Sequence, residues 1–147
     1  MHKDVAIDSA LTALETEYWY DVDHNWGRLA HEFYTVDGVF AIGGKRMAGK
    51  DEIRDFYSWR EGRGERTARH VISNVRVRCT DATHATLECI MSLYAADGAP
   101  VLESRPAIMI ADIVSQCILN DGAWSYTSHE LRPLFMGGEA PTIPPDK

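Results

Sequence analysis

The strongest constraint on the fold lies in the second half of the chain, where four long segments have the pattern of β-strands. Apolar residues alternate with polar ones over 67–79 and 85–94, and 123–135 is a fourth segment of similar length. The third segment, 104–119, is apolar in both phases, as expected of a strand covered on both sides. The turn-forming sequences TDAT, ADGAP and NDGA separate the segments. The pattern therefore predicts four consecutive antiparallel strands.

The first half of the chain predicts mainly helices. Apolar residues recur every three or four positions over 5–22 and again over 26–34, with the turn-forming DHN between them. A short hairpin is predicted around the Gly-Gly pair at 43–44, followed by a third helix over 49–64. Segregated helices and strands indicate an α+β fold. We expect a cone-shaped α+β barrel, in which a strongly curved, mainly antiparallel sheet wraps the N-terminal helices around a central pocket.

Composition excludes several classes of protein. The 147 residues are 45% hydrophobic and 25% charged, which predicts a single domain over residues 1–135. Glycines and prolines predict that 136–147 is a C-terminal tail. The net charge of -7 disfavours nucleic acid as a partner, and no apolar run is long enough for a membrane span or a signal peptide. We therefore expect a cytoplasmic protein.

The sequence contains no motif that implies a cofactor or a metal ion. It lacks a phosphate-binding loop, a dinucleotide fingerprint, a nucleophile elbow and the Cys/His spacing of a zinc site. Cys79, Cys89 and Cys117 are widely spaced and are expected to be half-buried thiols in strands.

One stretch, YWYDVDHNWGRLAHEF at 18–33, suggests chemistry. It places Asp21 and Asp23 at the end of the first helix, while His70 begins the first long strand. A carboxylate beside an imidazole makes a general base, because it orients the ring and stabilises its charged form. Asp23 could instead cap the following helix, and Asp21 remains a substitute because its helical phase lies nearer the apolar face.

The position of His70 in its strand raises a difficulty. Strict alternation places His70 in phase with Asn74, Arg76 and Arg78, which would turn its ring towards solvent. A β-bulge between His70 and Val75 would reset the phase, and long strands in strongly bent sheets often need one. The hypothesis of a His–Asp pair therefore requires a bulge here.

Other polar residues are interpreted as structural. Asp112 lies in the apolar run MIADIVS, where a buried carboxylate must be paired or protonated, so we expect a stabilising contact across the sheet. His84 and His129 are isolated strand histidines, and His24 is expected to face solvent in a turn.

The order and spacing of four pieces resemble the SnoaL-like branch of the nuclear-transport-factor-two-like superfamily. The pieces are YWYDVDHNWGRLAHEF, GVFAIGGKRMAGKDEIRDFY, RHVISNVRV and DGAWSYTSHELRPLF, and the resemblance covers residues 5–135. Enzymes of this group include scytalone dehydratase, bile-acid dehydratase, a hexachlorocyclohexane dehydrochlorinase, limonene epoxide hydrolase, ketosteroid isomerase and polyketide cyclases. Other members are non-catalytic, such as the β subunits of ring-hydroxylating dioxygenases.

The resemblance implies roles for particular residues. A His–Asp pair is catalytic in the dehydratase-like members, and it matches His70 and Asp23, with Asp21 kept as the substitute or as a substrate contact. Tyr18 matches a tyrosine that would donate a hydrogen bond to developing oxygen charge. Arg132 matches an arginine that some members use near the end of the last strand.

These observations predict a cofactor-free lyase or isomerase of the dehydratase type. Its substrate would be a small apolar hydroxylated or carbonyl compound, in a pocket lined by aromatic side chains that include Phe56 and Trp59. The alternative is a non-catalytic ligand-binding or oxygenase β-subunit-like protein, since a fold does not determine a function. On either hypothesis we expect a homodimer or homotrimer, because the outer face of an open sheet is often covered by a partner.

Overall fold

The computed structural model describes residues 4–138, which form two α-helices packed against a six-stranded sheet. Helix α1 (Val5–Asn25) is followed by a short 3-10 helix (Ala30–Phe33), strands β1 (Tyr34–Ile42) and β2 (Lys45–Ala48), and helix α2 (Lys50–Gly62). Strands β3 (Arg66–Cys79), β4 (His84–Asp97), β5 (Met109–Asn120) and β6 (Ala123–Met136) follow. The predicted hairpin, the helix after it and the four long strands are present. Residues 139–147 of the predicted tail lie outside the described residues.

The strands form one mixed, curved sheet in the order β2-β1-β6-β5-β4-β3. Strand β1 runs parallel to β6, whereas every other neighbouring pair is antiparallel. The sheet is not closed, because β2 and β3 are edge strands. The predicted α+β fold with a curved, mainly antiparallel sheet is confirmed. No helix within residues 4–138 is long and apolar enough to cross a membrane.

Helix α1 is longer than the sequence pattern predicts. It continues to Asn25 and stops where Trp26 and Gly27 adopt left-handed conformations, with φ of 62° and 71°. A Cβ atom at position 27 would lie 2.5 Å from the ring of Tyr57, so only glycine fits here. The predicted second helix over 26–34 is therefore wrong, because the chain turns at these residues and is helical only in the 3-10 segment.

Strand β5 is shorter than predicted. It begins at Met109 instead of 104, and residues 98–108 form an irregular connection from β4 that is longer than the predicted turn. Pro106 lies in this connection and has no amide hydrogen to offer a neighbouring strand. The pattern of apolar residues alone did not show where β5 begins to form hydrogen bonds with its neighbouring strands.

Strand β3 contains the bulge that an inward-facing His70 requires. Its register with β4 shifts between Ser73 and Arg76, and Asn74 has a φ of 55°, a left-handed conformation that asparagine tolerates. Before the bulge the more buried phase of the strand contains His70, and after it the more buried phase contains Val75. The bulge therefore turns the ring of His70 towards the helices.

The outer face of the sheet corrects one prediction. Asp112 is exposed and lies opposite Arg132 in the register between β5 and β6. The prediction of a buried Asp112 is wrong, because its phase of β5 points away from the helices. Ile110 and Val114 share this phase and are half-buried, so the face mixes apolar and charged groups. Self-association through this face stays a prediction.

The cysteines are all free thiols in strands. Cys79 is exposed, whereas Cys89 and Cys117 are buried. Burial raises the pKa of Cys117 to about 12, so its thiol stays protonated at neutral pH.

Candidate active site

Asp23, on the last turn of α1, holds His70 of β3 by two hydrogen bonds. The Nδ1 atom of His70 lies 2.6 Å from Oδ1 of Asp23, and the backbone amide of His70 donates to Oδ2 at 2.9 Å. Both side chains are shielded, with 4% of His70 and 5% of Asp23 exposed. The carboxylate therefore fixes the orientation of the ring. Because Nδ1–H donates a hydrogen bond to Asp23, the lone pair of the neutral imidazole lies on Nε2.

The ring of His70 favours its neutral form at pH 7. Burial lowers its pKa below 6.5 because the charged ring is poorly solvated, and the nearby Arg60 and Arg66 lower it further. Asp23 opposes these effects and raises the pKa, without reversing the net direction. A neutral ring with a free Nε2 can accept a proton at neutral pH.

Trp19 completes the setting of this ring. Its indole stacks on His70, with ring centroids 4.3 Å apart and planes 16° from parallel. An aromatic face stabilises a cation, so the stack supports the imidazolium that forms when His70 accepts a proton. Asp23 meets a separate requirement, because it selects the tautomer of the neutral ring.

His70 and Trp19 line an apolar pocket between the helices and the sheet. The empty space in the pocket, including its open mouth, is about 280 Å³. Because most of this space is narrow or open to solvent, the pocket has room for only about one water molecule. Besides His70 and Trp19, the polar side chains in the walls are those of Tyr57 and Arg60. The apolar walls are made by Val22, Phe40, Ile42, Phe56, Met91, Leu93, Met109 and Leu131.

The second aspartate of the opening stretch has a different position. Asp21 is buried, and it accepts hydrogen bonds from the side chain of Asn25 at 2.8 Å and from the backbone amide of Leu29 at 3.1 Å. It therefore stabilises the turn that follows α1, while Asp23 is the partner of His70. Asp21 does not line the pocket.

Three other predicted site residues are divided between the pocket and its surroundings. Phe56 lines the pocket, but Trp59 does not: it packs on Phe56 and lies under the guanidinium of Arg63, 5.5 Å from the centre of its ring. Arg132 lies on the outer face of the sheet and forms an ion pair with Glu130. The prediction that Arg132 meets the substrate is not supported, because the adjacent Leu131 takes the inward-facing position on β6.

Tyr18 lies one layer behind the pocket wall. It is fully buried, and its hydroxyl lies 2.6 Å from that of Tyr57 and accepts from Tyr34 at 2.9 Å. Tyr57 is the tyrosine that reaches the pocket. Burial raises the pKa of both Tyr18 and Tyr57, so both hydroxyls keep their protons and remain donors.

A buried acid, Glu15, anchors the other end of this chain of hydroxyls. Its carboxylate accepts from Nε1 of Trp19 at 2.6 Å and from the hydroxyl of Tyr126 at 2.5 Å, and it lies 3.0 Å from Nε2 of His129. Nδ1 of His129 lies 2.9 Å from the hydroxyl of Tyr34, which connects the pair to Tyr18. The interpretation of His129 as an isolated histidine is therefore wrong.

Sequence reasoning missed Glu15 and Arg60, although the helical pattern contained a signal for each. Glu15 lies four residues after Leu11 and three before Tyr18, within the apolar stripe of α1. Arg60 lies four residues after Phe56, on the inner face of α2. A charged residue in an apolar stripe is a candidate for a buried, paired or functional charge.

A comparison with protein families identifies the family of the chain. Residues 4–129 match the model of the SnoaL-like domain. The chain belongs to the SnoaL-like family. No curated protein sequence matches this SnoaL-like chain.

Solved structures show the same SnoaL-like fold at low sequence identity. A Novosphingobium aromaticivorans protein provisionally named scytalone dehydratase matches with a TM-score of 0.80 and 17% identity, over 96% of this chain and 93% of its own. The β subunit of a provisionally named aromatic-ring-hydroxylating dioxygenase from the same organism gives 0.77 and 13%, over 93% and 94%. A Catenulispora acidiphila protein in complex with S-DNPA gives 0.73 and 13%, over 87% and 95%. At these identities the likeness shows the fold alone.

Proposed function

We propose that this SnoaL-like protein is a cofactor-free lyase or isomerase that removes a proton from a carbon atom next to a carbonyl group. The observation that carries the proposal is the neutral His70, held through Nδ1 by Asp23 and lining an apolar pocket. The carboxylate fixes the tautomer of the ring, and the place on the pocket wall brings the ring to a bound molecule. This combination suits a general base.

The proposed reaction begins at Nε2 of His70. Nε2 takes the proton, the C–H bond breaks, and its electron pair moves to the carbonyl oxygen as an enolate. Asp23 and the face of Trp19 stabilise the imidazolium. The imidazolium then returns the proton to a leaving hydroxyl group, which departs as water, or to another carbon, which moves the double bond.

A tyrosine hydroxyl would stabilise the enolate oxygen. The family resemblance implies Tyr18 for this role, and we propose that Tyr57 makes the contact while Tyr18 orients Tyr57 from behind. Tyr34 donates to Tyr18, and when Tyr18 in turn donates to Tyr57, the Tyr57 proton can point into the pocket. A donor already aimed at developing charge is an effective electrostatic catalyst.

The pocket suits a small apolar molecule whose entry moves the wall. Met91 and Met109 form part of that wall, and methionine side chains rearrange readily because they are unbranched. The S-DNPA complex of the structurally similar Catenulispora acidiphila protein supports the idea that a small molecule binds. Phe56 and Phe40 add aromatic surface against which a ring of the substrate could pack.

The proposal is tested by hydrogen–deuterium exchange, which reports proton removal whichever product follows. Small aryl and alicyclic ketones, hydroxy ketones and oxo acids would be incubated with the protein in heavy water and examined by NMR. Because burial lowers the pKa of His70 below 6.5, exchange should stay fast below that pH and decline only on further acidification. Rates from about pH 5 to 8 test this, and a half-maximal rate at or above pH 6.5 would contradict it.

The second candidate is a non-catalytic oxygenase subunit, favoured by the match to a dioxygenase β subunit. A subunit of this kind would copurify with a larger iron-containing partner and show no exchange activity. The His70–Asp23 pair argues for the enzyme, since a purely structural subunit has no need of a base in a pocket.

A further inference from the structure

Arg60 is a buried cation in the wall of the pocket. It lies on the inner face of α2, only 3% exposed, beside Tyr57 and on the same pocket as His70. Its Nη2 atom is buried and has no hydrogen-bond partner among residues 4–138. A buried guanidinium nitrogen without an acceptor is costly, unless a ligand supplies one.

The acids near Arg60 are already engaged. Burial lowers the pKa of Arg60, and the nearby charge of Asp23 partly opposes this effect. Both carboxylate oxygens of Asp23 accept hydrogen bonds from His70. Glu61, the next residue along α2, pairs with Arg28 at 2.6 Å on the surface. Within residues 4–138, no carboxylate forms an ion pair with Arg60.

Two further arginines reinforce this charge. Burial and the positive charges of Arg60 and Arg63 together lower the pKa of Arg66 to about 10, against a smaller opposite effect of Asp97. The three guanidinium groups therefore lie close enough to repel one another, and Arg60 is the one that lines the pocket. Such a concentration of positive charge in a chain of net charge -7 is expected where an anion binds.

We propose that Arg60 binds a carboxylate group of the substrate, which is therefore a hydroxy or oxo carboxylic acid with an apolar body. The planar guanidinium matches a carboxylate through two parallel hydrogen bonds, and Nη2 is available for one of them. The apolar walls would hold the remainder of the molecule, and His70 would act on a carbon of the same molecule. This inference rests on the proposed function for the reaction, but the binding of the acid can be measured separately.

The test compares acids with neutral molecules of the same shape. Phenylacetate and hexanoate would be titrated against phenylacetamide and hexanamide by calorimetry. The acids should bind the wild type at least about tenfold more tightly than the amides, and Arg60→Met should remove that difference. Arg54→Met is the matched control, because Arg54 lies on the same helix, is exposed and pairs with Asp51.

Two further variants separate the possible failures. His70→Gln should lower the exchange rate by about 10²–10⁴-fold but keep the preference for acids, so loss of the proposed reaction alone would not remove the carboxylate site. Arg60→Met should also raise the melting temperature in the absence of ligand, since it removes an unpaired buried charge. If Arg60→Met does not fold, Arg60→Lys, which keeps the charge but loses the planar fork, should weaken acid binding instead.

Equal affinity for acids and amides in the wild type would overturn the proposal. So would the absence of acid binding at millimolar concentration, or acid binding that is unchanged in the Arg60 variants.

Discussion

Replacing His70 with glutamine should lower the rate of proton exchange at carbon by about 10²–10⁴-fold, the usual contribution of a positioned general base. Glutamine can keep a hydrogen bond to Asp23 but cannot accept a proton at neutral pH. Initial exchange rates measured by NMR for wild type and variant, with circular dichroism to check folding, give the comparison. Undiminished exchange in His70→Gln would remove His70 from the mechanism.

Replacing Asp23 with asparagine should lower the rate of proton exchange at carbon at least about tenfold, because a neutral amide stabilises the imidazolium less than a carboxylate does. The protein contains a matched control pair on its surface. Nδ1 of His84 lies 3.0 Å from Asp81 in the turn before β4, and both side chains are exposed. His84→Gln and Asp81→Asn should leave exchange unchanged, which separates the buried pair from the effect of altering any His–Asp pair.

Replacing Glu15 with alanine should lower the free energy of unfolding by about 3–5 kcal/mol, the usual effect of removing one partner of a buried ion pair. The change would leave His129 without its carboxylate. It would also leave the donors of Trp19 and Tyr126 without an acceptor in a fully buried site. Urea unfolding monitored by tryptophan fluorescence measures the loss.

The Glu15 cluster should also make the fold sensitive to acid. Burial raises the pKa of Glu15, but the charge of His129 and hydrogen bonds from His129, Tyr126 and Trp19 outweigh it and hold the pKa below 4.5. The stabilisation is therefore complete above pH 4.5 and is lost as the pH falls towards the lower folded value. In Glu15→Gln, this part of the loss of stability at low pH should be absent.

The surface pair of Glu61 and Arg28 is the control for the Glu15 experiment. Glu61→Gln breaks an exposed ion pair and should change stability little, because water screens such pairs. If Glu15→Ala were equally mild, the buried cluster would not stabilise the fold.

Local periodicity predicted most of the fold. The alternation in β3 and β4 and the helical stripe of α1 reflect which side chains face the core, so their positions followed from the sequence. The boundaries near Trp26 and Met109 did not, because they depend on backbone conformation and on where neighbouring strands begin to pair. The burial of Asp112 was wrongly predicted because a strand that is apolar in both phases does not show which face is inward.

The candidate site could likewise be predicted only in part. The resemblance selected Asp23 and His70, but the pairing depends on one more helical turn in α1 and on the bulge at Asn74. Neither is visible in the spacing of apolar residues. Arg132 was misplaced because one residue of phase in β6 exchanges it with the inward-facing Leu131.

The most direct test of the central hypothesis is an NMR titration of His70 in the wild type and in Asp23→Asn. We predict a pKa below 6.5 in the wild type, a neutral ring protonated on Nδ1, and a further fall of the pKa in Asp23→Asn, because Asp23 raises it. A wild-type pKa at or above 6.5 that does not change in Asp23→Asn would show that the carboxylate does not support the ring, and would contradict the proposed general base.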